Sequence, residues 1–364
     1  MLTRTSVAIL TLTSIMVLGA CGGSRRQTAY ITTPLNDGVS AFRLDTNTGA
    51  FKEILGSPYP TGISPTSVCV HPSGEFAYVS NAGENTISLY KVGSTGALTE
   101  VTPRTPTGEQ PSDLLIDPAG AFLFAVNSAS NTIATYSITG SSGALSATTG
   151  SSYPTSGFTP IRGSISPSAK FLYVANSGSA SISGFSIDAS GGLSPVPNSP
   201  VSVGNGPNWI ATDPGGKFLY VANLLDGTFS GFTVDGSTGA LSAISGSPFG
   251  VASTGTAITP VSSLVVDASG KYIYVTTLTS SSSVYGFTID ATTGAPAVPI
   301  SGSPFAAGGS ASFITPDSTG KLLFVGNQTS STISGFKITP SSGALTLVST
   351  TSTGSAPTSM FVVK

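Results

Sequence analysis

The stretch DPGGKFLYVAN at residues 213–223 decides the fold, because it returns along the chain in recognisable copies. These read HPSGEFAYVSN at 71–81, DPAGAFLFAVN at 117–127 and SPSAKFLYVAN at 166–176. Two more, DASGKYIYVTT and DSTGKLLFVGN, lie at 267–277 and 317–327, and a truncated copy, TAYITT, at 28–33. The aromatic marker falls at Tyr30, Tyr78, Phe124, Tyr173, Tyr220, Tyr274 and Phe324, in steps of 48, 46, 49, 47, 54 and 50 residues. A period near 50 with several short strands per period is the signature of a β-propeller.

Each period decodes into four strands. A short apolar strand a precedes the block, as in Asp113-Leu114-Leu115-Ile116 or Ser263-Leu264-Val265-Val266. In the Asp-Pro-x-Gly turn that follows, Pro presets φ and Gly supplies the left-handed position. Strand b is the Phe-Leu-Tyr-Val-Ala run, apolar throughout, as suits a strand covered on both faces. Strand c is the Ile-Ser-Gly-Phe-x-Ile segment, as at 182–188 and 333–338. The turn Gly236-Ser237-Thr238-Gly239 leads into strand d, and loops such as Ser57-Pro58-Tyr59, Ser247-Pro248-Phe249 and Ser303-Pro304-Phe305 lead onward. The first copy lacks strand a, and the C-terminal run from Pro357 to Val363 supplies one. The expected fold is therefore all-β, a seven-bladed propeller of four antiparallel strands per blade. Its last strand enters the first blade and closes the ring, which removes a free sheet edge. Helix content should be close to nil, and one chain completes the ring as a monomer.

Charged residues make up 8% of the 364, against about 25% on average. Disordered chains share that polarity but lack regular apolar and aromatic positions, which are present here. The net charge is −2 with no basic block, so the cationic footprint of a nucleic-acid binder is missing. There is no His/Cys cluster and no Asp-x-Asp-x-Asp loop, so neither a metal nor another cofactor is expected.

The first residues read as an export signal. Arg4 precedes the apolar runs Val7-Ala8-Ile9-Leu10 and Ile15-Met16-Val17-Leu18, which end in Leu18-Gly19-Ala20-Cys21. Small residues before a cysteine resemble the bacterial lipobox, and the stretch is too short and Thr-rich for a comfortable membrane span. We expect residues 1–20 to be a signal peptide, 21–27 a lipidated Cys21 with its tether, and 28–364 one propeller domain. The protein is then exported and held to the cell envelope by lipid alone. Cys69, the only other cysteine, has no disulfide partner and reads as a small buried hydrophobe.

The Gly-Lys-Phe-Leu-Tyr-Val-Ala-Asn blocks, with Ile-Ser-Gly-Phe-x-Ile-Asp, resemble the seven-bladed lactonase-like propellers, which include 6-phosphogluconolactonases of the cycloisomerase type. They also resemble the related Tyr-Val-Thr-Asn repeat proteins. The resemblance covers essentially everything after residue 26 and rests on strand and turn positions. Enzymes of that family carry Gly-Pro-Arg-His on one strand a and Asn-Glu-Leu after the next strand b. Here the same places read Gly206-Pro207-Asn208-Trp209 and Asn223-Leu224-Leu225, so Asn208, Trp209 and Leu224 stand where the resemblance implies Arg, His and Glu.

Residues that recur in most blades read as scaffold. Asp117, Asp213, Asp267 and Asp317 repeat at the a–b turn, and the single histidine, His71, holds that same turn position. Asp45, Asp188, Asp235 and Asp290 repeat at the c–d turn, Lys170, Lys217, Lys271 and Lys321 at the start of strand b, and Asn81, Asn127, Asn176, Asn223 and Asn327 at its end. What breaks the repeat is more informative. Four residues before the turn, the slot at the channel mouth holds Ser67, Asp113, Arg162, Trp209, Ser263 and Phe313, with Ser359 in the closing strand. Its only charges, Asp113 and Arg162, sit on adjacent blades, and the only tryptophan comes next. An acid, a guanidinium and an indole side by side suit a small polar or sugar-like ligand, with Asn208 beside them. The alternative is an ion pair plugging the channel. Glu84 and Asp226, in b–c loops on the same face, read as solvated carboxylates that can reach such a ligand. The leading expectation is an envelope-anchored module that binds a small ligand or another envelope protein at this mouth. The alternative is a hydrolase of sugar lactones in which Arg162 polarises the carbonyl and Asp113 activates water, and a third reading is a surface repeat with no small-molecule site.

Overall fold

The computed structural model describes residues 27–251 and 259–363. The expected signal segment, Cys21 and the tether up to Arg26 lie outside the described residues. Seven antiparallel sheets follow one another around a ring. Blades 2 to 7 open with strands a at Pro65–Val70, Pro111–Ile116, Pro160–Ile165, Pro207–Thr212, Val261–Val266 and Ala311–Pro316. Their strands b are Phe76–Asn81, Phe122–Asn127, Phe171–Asn176, Phe218–Asn223, Tyr272–Thr277 and Leu322–Asn327. Blade 1 joins both ends of the chain: Ser359–Val363 pairs with Gln27–Thr33, matching Thr32 with Ser359 and Thr28 with Val363. The closure expected from the unpaired C-terminal run is thus present. The helical elements among the described residues are two single 3-10 turns, Pro34–Asn36 and Ser177–Ser179.

Gln27, assigned to the tether from sequence, instead opens strand b of blade 1 and is buried. Its amide donates to Asp317 Oδ2 at 3.0 Å and accepts from the Ser318 N–H at 3.1 Å, which ties blade 1 to blade 7 across the closure.

The a–b turn shows why its aspartate recurs. Asp213 Oδ1 accepts the N–H groups of Lys217 and Phe218 at 2.6 and 2.7 Å, while Oδ2 accepts that of Gly215 at 2.9 Å. The carboxylate satisfies donors that the turn would otherwise bury without a partner. His71 does related work by another route: Nε2 lies 2.9 Å from the Gly120 carbonyl of the next blade and Nδ1 lies 2.8 Å from Ser73 Oγ. The recurring lysines differ from what recurrence suggested. Their side chains are exposed and form no ion pair among the described residues, and it is their backbone that serves the blade: each carbonyl accepts an N–H from the end of strand c.

The Ser-Pro-aromatic stretches, expected as loops, are the second half of strand d. Tyr59–Pro60, Phe249–Gly250 and Phe305–Ala306 return to pair with strand c after a kink at a cis Ser-Pro bond. The kink takes a carbonyl away from strand c. The serine hydroxyl replaces it, accepting the N–H of Ala41, Gly231 and Gly286 from Ser57, Ser247 and Ser303 at 3.0 Å each.

The apolar core is divided into seven clusters, each shared by two adjacent blades. One contact recurs between them. The tyrosine of strand b donates its hydroxyl to the carbonyl of a c–d turn glycine in the next blade. The pairs are Tyr30 to Gly96, Tyr78 to Gly143, Tyr173 to Gly239, Tyr220 to Gly294 and Tyr274 to Gly343, at 2.6–2.9 Å. Burial pushes the ionisation of these tyrosines well above the usual value, so each remains a donor. Where blade 7 has Phe324, Ser349 Oγ takes over, donating to the Gly49 carbonyl at 2.6 Å. Cys69 is buried, and burial together with the Asp113 charge holds its thiol protonated, as expected of an inert residue.

Two measurements check this scaffold. Tyr220→Phe should lower the unfolding free energy by about 1–2 kcal/mol, because the Gly294 carbonyl then lies buried without its donor; urea denaturation reads this directly. Hydrogen bonds also hold carboxyls low in the folded state: Ser237 and Thr238 act on Asp235, and at Asp317 donors led by Thr319 outweigh the opposing effect of burial. A depressed folded pKa gives stability that is complete above the unfolded carboxylate value and lost as pH falls through the folded one. The urea midpoint should therefore be flat near neutrality and fall below about pH 4, with a shallower fall in Asp317→Asn.

Candidate functional site at the channel mouth

The seven strands a line the channel, and in blades 2 to 7 each carries a bulge near its start, such as the one between Pro65 and Ser67. The bulge gives every slot residue the same register, so Ser67, Asp113, Arg162, Trp209, Ser263 and Phe313 all pair with the penultimate residue of strand b. The loops entering strand a and the b–c loops lie on this side. Buried asparagines at the ends of strands b hold them: Asn81 Oδ1 accepts the Gly62 N–H and Asn327 Oδ1 that of Gly308, both at 3.0 Å. The Asn81 Nδ2 bonds the hydroxyls of Thr86 and Ser88 in strand c.

Three of the four predicted ligand residues meet. Arg162 Nη1 lies 3.0 Å from Asp113 Oδ1 in an ion pair whose side chains are 15% and 10% exposed. Ser67 Oγ donates to that same oxygen at 2.9 Å, and the Gly163 N–H donates to Oδ2 at 3.0 Å. Arg162 Nη2 reaches across the channel to the Thr358 carbonyl at 3.4 Å. The guanidinium also stacks over the Trp209 indole at 4.9 Å. Trp209 packs against both the cluster between blades 5 and 6 and that between blades 7 and 1, which contains the buried Phe313. It therefore spans the channel.

Asn208, the fourth, does not join them. It occupies the bulge, gives Nδ2 to the Ser262 carbonyl at 2.7 Å, and keeps a buried Oδ1 without a protein partner. Glu84 and Asp226, read as solvated, hold loops instead. Glu84 shares Arg104 with Glu100, at 2.7 and 2.8 Å, and Asp226 accepts both the backbone and the side-chain N–H of Asn205. The Thr358 carbonyl and Gly163 N–H were not anticipated, since backbone groups leave no mark in the residue pattern.

Reactive capacity remains in the cluster. Of the five N–H donors of a guanidinium, Arg162 commits one to Asp113 and one to Thr358. A carboxylate offers about four acceptor positions, and three are taken on Asp113. Among the described residues, no group of His, Cys, Asp and Glu could hold a metal ion.

The fold is that of a seven-bladed propeller. The sequence model described as "Lactonase, 7-bladed beta-propeller" matches residues 23–157 and 163–363, and the chain belongs to that family. A Bacteroides fragilis protein provisionally assigned as a 6-phosphogluconolactonase superposes with a TM-score of 0.81 at 20% identity, covering 95% of this chain and 99% of its own. The Pseudomonas aeruginosa periplasmic gluconolactonase PpgL superposes at 0.76 with 16% identity, over 93% and 99%. A Lactobacillus plantarum protein does so at 0.78 with 17%, over 93% and 100%. None of the curated proteins shows significant sequence similarity to the chain.

Arg162→Met should destabilise the fold by about 3 kcal/mol, because it strands the Asp113 carboxylate. The double variant Asp113→Leu/Arg162→Met should recover most of that loss, and thermal unfolding of both variants gives the comparison.

Proposed function

We propose that this chain is a hydrolase of sugar lactones that works at the Asp113–Arg162–Trp209 mouth. The observation that carries the reading is the spare capacity of the ion pair. Arg162 keeps three N–H donors for the lactone carbonyl oxygen, and Asp113 keeps one acceptor position for a proton. Family membership and the gluconolactonase named among its structural relatives support the same chemistry.

In this mechanism Arg162 polarises the carbonyl and stabilises the developing oxyanion. Water attacks the carbonyl carbon and gives a proton to Asp113. The ring C–O bond then breaks, and the leaving ring oxygen takes up that proton. The product is the open hydroxy acid, and the carboxylate is regenerated. Trp209 offers an apolar face for the sugar ring.

A second reading has its own support. Asn208, Trp209 and Leu224 stand where the family's enzymes are expected to carry Arg, His and Glu, which favours a module that binds a ligand or an envelope protein without turning anything over. For either activity we propose a location outside the cytoplasm, with the chain held to the envelope through lipid on Cys21. Assay of the full chain on a panel of sugar lactones separates the two. The hydrolase reading expects turnover that falls about 10²–10³-fold in Arg162→Lys, which keeps the charge but loses the planar fork. Failure to open any lactone sinks the hydrolase reading.

A further inference from the structure

The two faces of the ring differ in charge. All seven lysines of the described residues, Lys52, Lys91, Lys170, Lys217, Lys271, Lys321 and Lys337, belong to the face of the a–b and c–d turns, opposite the mouth. Each sits at a start of strand b or d, or near the end of strand c, where the register places it beside those turns. The mouth face, formed by the b–c loops and the loops entering strand a, carries Asp37, Glu84, Glu109, Asp113 and Asp226. Against these five carboxylates stand two cations, Arg104 and Arg162. Segment 252–258 contains no charged residue.

Both cations are already paired. Arg104 lies between Glu84 and Glu100, and Arg162 is bound to Asp113. Its remaining donors can meet a neutral carbonyl, but among the described residues no unpaired cation on this face can balance a phosphate. Four of the large exposed apolar side chains also lie here: Leu35, Ile63, Phe158 and Leu225, each more than half exposed. Phosphate recognition uses arginine forks, lysines or helix N-termini. The described mouth loops hold no unpaired cation, and their helical elements are single 3-10 turns.

We propose that the substrate taken at this mouth is an uncharged lactone, and that lactones bearing a phosphate or a second carboxylate are excluded by charge. The proposal rests on the hydrolase reading and sets its substrate class. Surface repulsion of this kind is screened within about 8 Å at physiological salt. The discrimination must therefore depend on ionic strength, which a purely steric exclusion would not.

The test compares glucono-δ-lactone with its 6-phosphate, using the full chain at low salt and at high salt. At low salt kcat/KM for the neutral lactone should exceed that for the phosphate ester at least tenfold, and the gap should narrow as salt is added. Glu109 is exposed, and its side chain makes no hydrogen bond or ion pair among the described residues. Glu109→Lys should narrow the gap at low salt through KM for the phosphorylated substrate alone. Equal use of the two lactones, or a gap indifferent to salt, overturns the proposal while leaving the hydrolase reading intact. If neither lactone is opened, the hydrolase reading fails, and titration with gluconate methyl ester and with 6-phosphogluconate decides the charge question. Tighter binding of the neutral ester upholds the exclusion; equal binding, tighter binding of the phosphate or no binding overturns it.

Discussion

The ring depends on a single kind of contact, made where a strand b of one blade meets the c–d turn of the next. At five of the seven junctions an aromatic ring lies against the turn glycine, and at five a tyrosine hydroxyl caps the glycine's carbonyl. In blades 4 and 5 Phe171 covers Gly239 while Tyr173 bonds its oxygen at 2.8 Å. The glycine has φ of +75°, and an added Cβ would come within 2.5 Å of the Phe171 ring. Both the backbone conformation and the approach therefore exclude a side chain. This geometry sets the angle between blades, so it also sets how wide the channel is and how closely the slot residues approach one another. The two positions with phenylalanine in place of tyrosine show how far the contact can be relaxed. At Phe324 a serine supplies the missing donor, whereas at Phe124 the ring packs alone.

The repeat made this scaffold legible. Turn aspartates and ring tyrosines recur because each satisfies a backbone group that the blades expose at the same place, and strand-end asparagines because they tie the end of strand b to hydroxyls of strand c. Recurrence misled at the lysines, whose side chains are exposed and make no hydrogen bond or ion pair among the described residues. They recur because the start of strand b faces water there. It was also insufficient for strand d, where Ser-Pro-aromatic read as a loop. A serine hydroxyl standing in for a carbonyl lets the sheet continue through a kink that composition alone reads as a break. The opening residue of the fold was misplaced by one, since a glutamine after two arginines looks like tether until its amide meets the Asp317 turn.

The site was legible for the opposite reason: its residues fail to repeat. A slot occupied by Ser67, Asp113, Arg162, Trp209, Ser263 and Phe313 in successive blades is not a repeated scaffold position, and four of these residues, Ser67, Asp113, Arg162 and Trp209, meet at the mouth. The missing part was the backbone. The Gly163 N–H on Asp113 and the Thr358 carbonyl on Arg162 come from a neighbouring strand and from the far side of the channel. The first needs only adjacent blades, whereas the second needs the ring to close. Thr358 precedes the closing strand, so ring closure and the geometry of the arginine are mechanically linked.

That link bears on how the family's chemistry could persist with different side chains. A propeller channel converges one slot from each blade on the same small volume, so a cation or carboxylate can be supplied from any of several blades without altering the scaffold. Replacement of the expected Arg, His and Glu by Asn208, Trp209 and Leu224 removes polar groups from blade 5. It also places an indole where it supports a guanidinium from blade 4. The stacking holds the planar fork in position, and Asp113 fixes its orientation from blade 3. An arginine oriented on two sides, with donors left over, has little freedom to lose on meeting a carbonyl oxygen. Such preorganisation is what electrostatic catalysis requires.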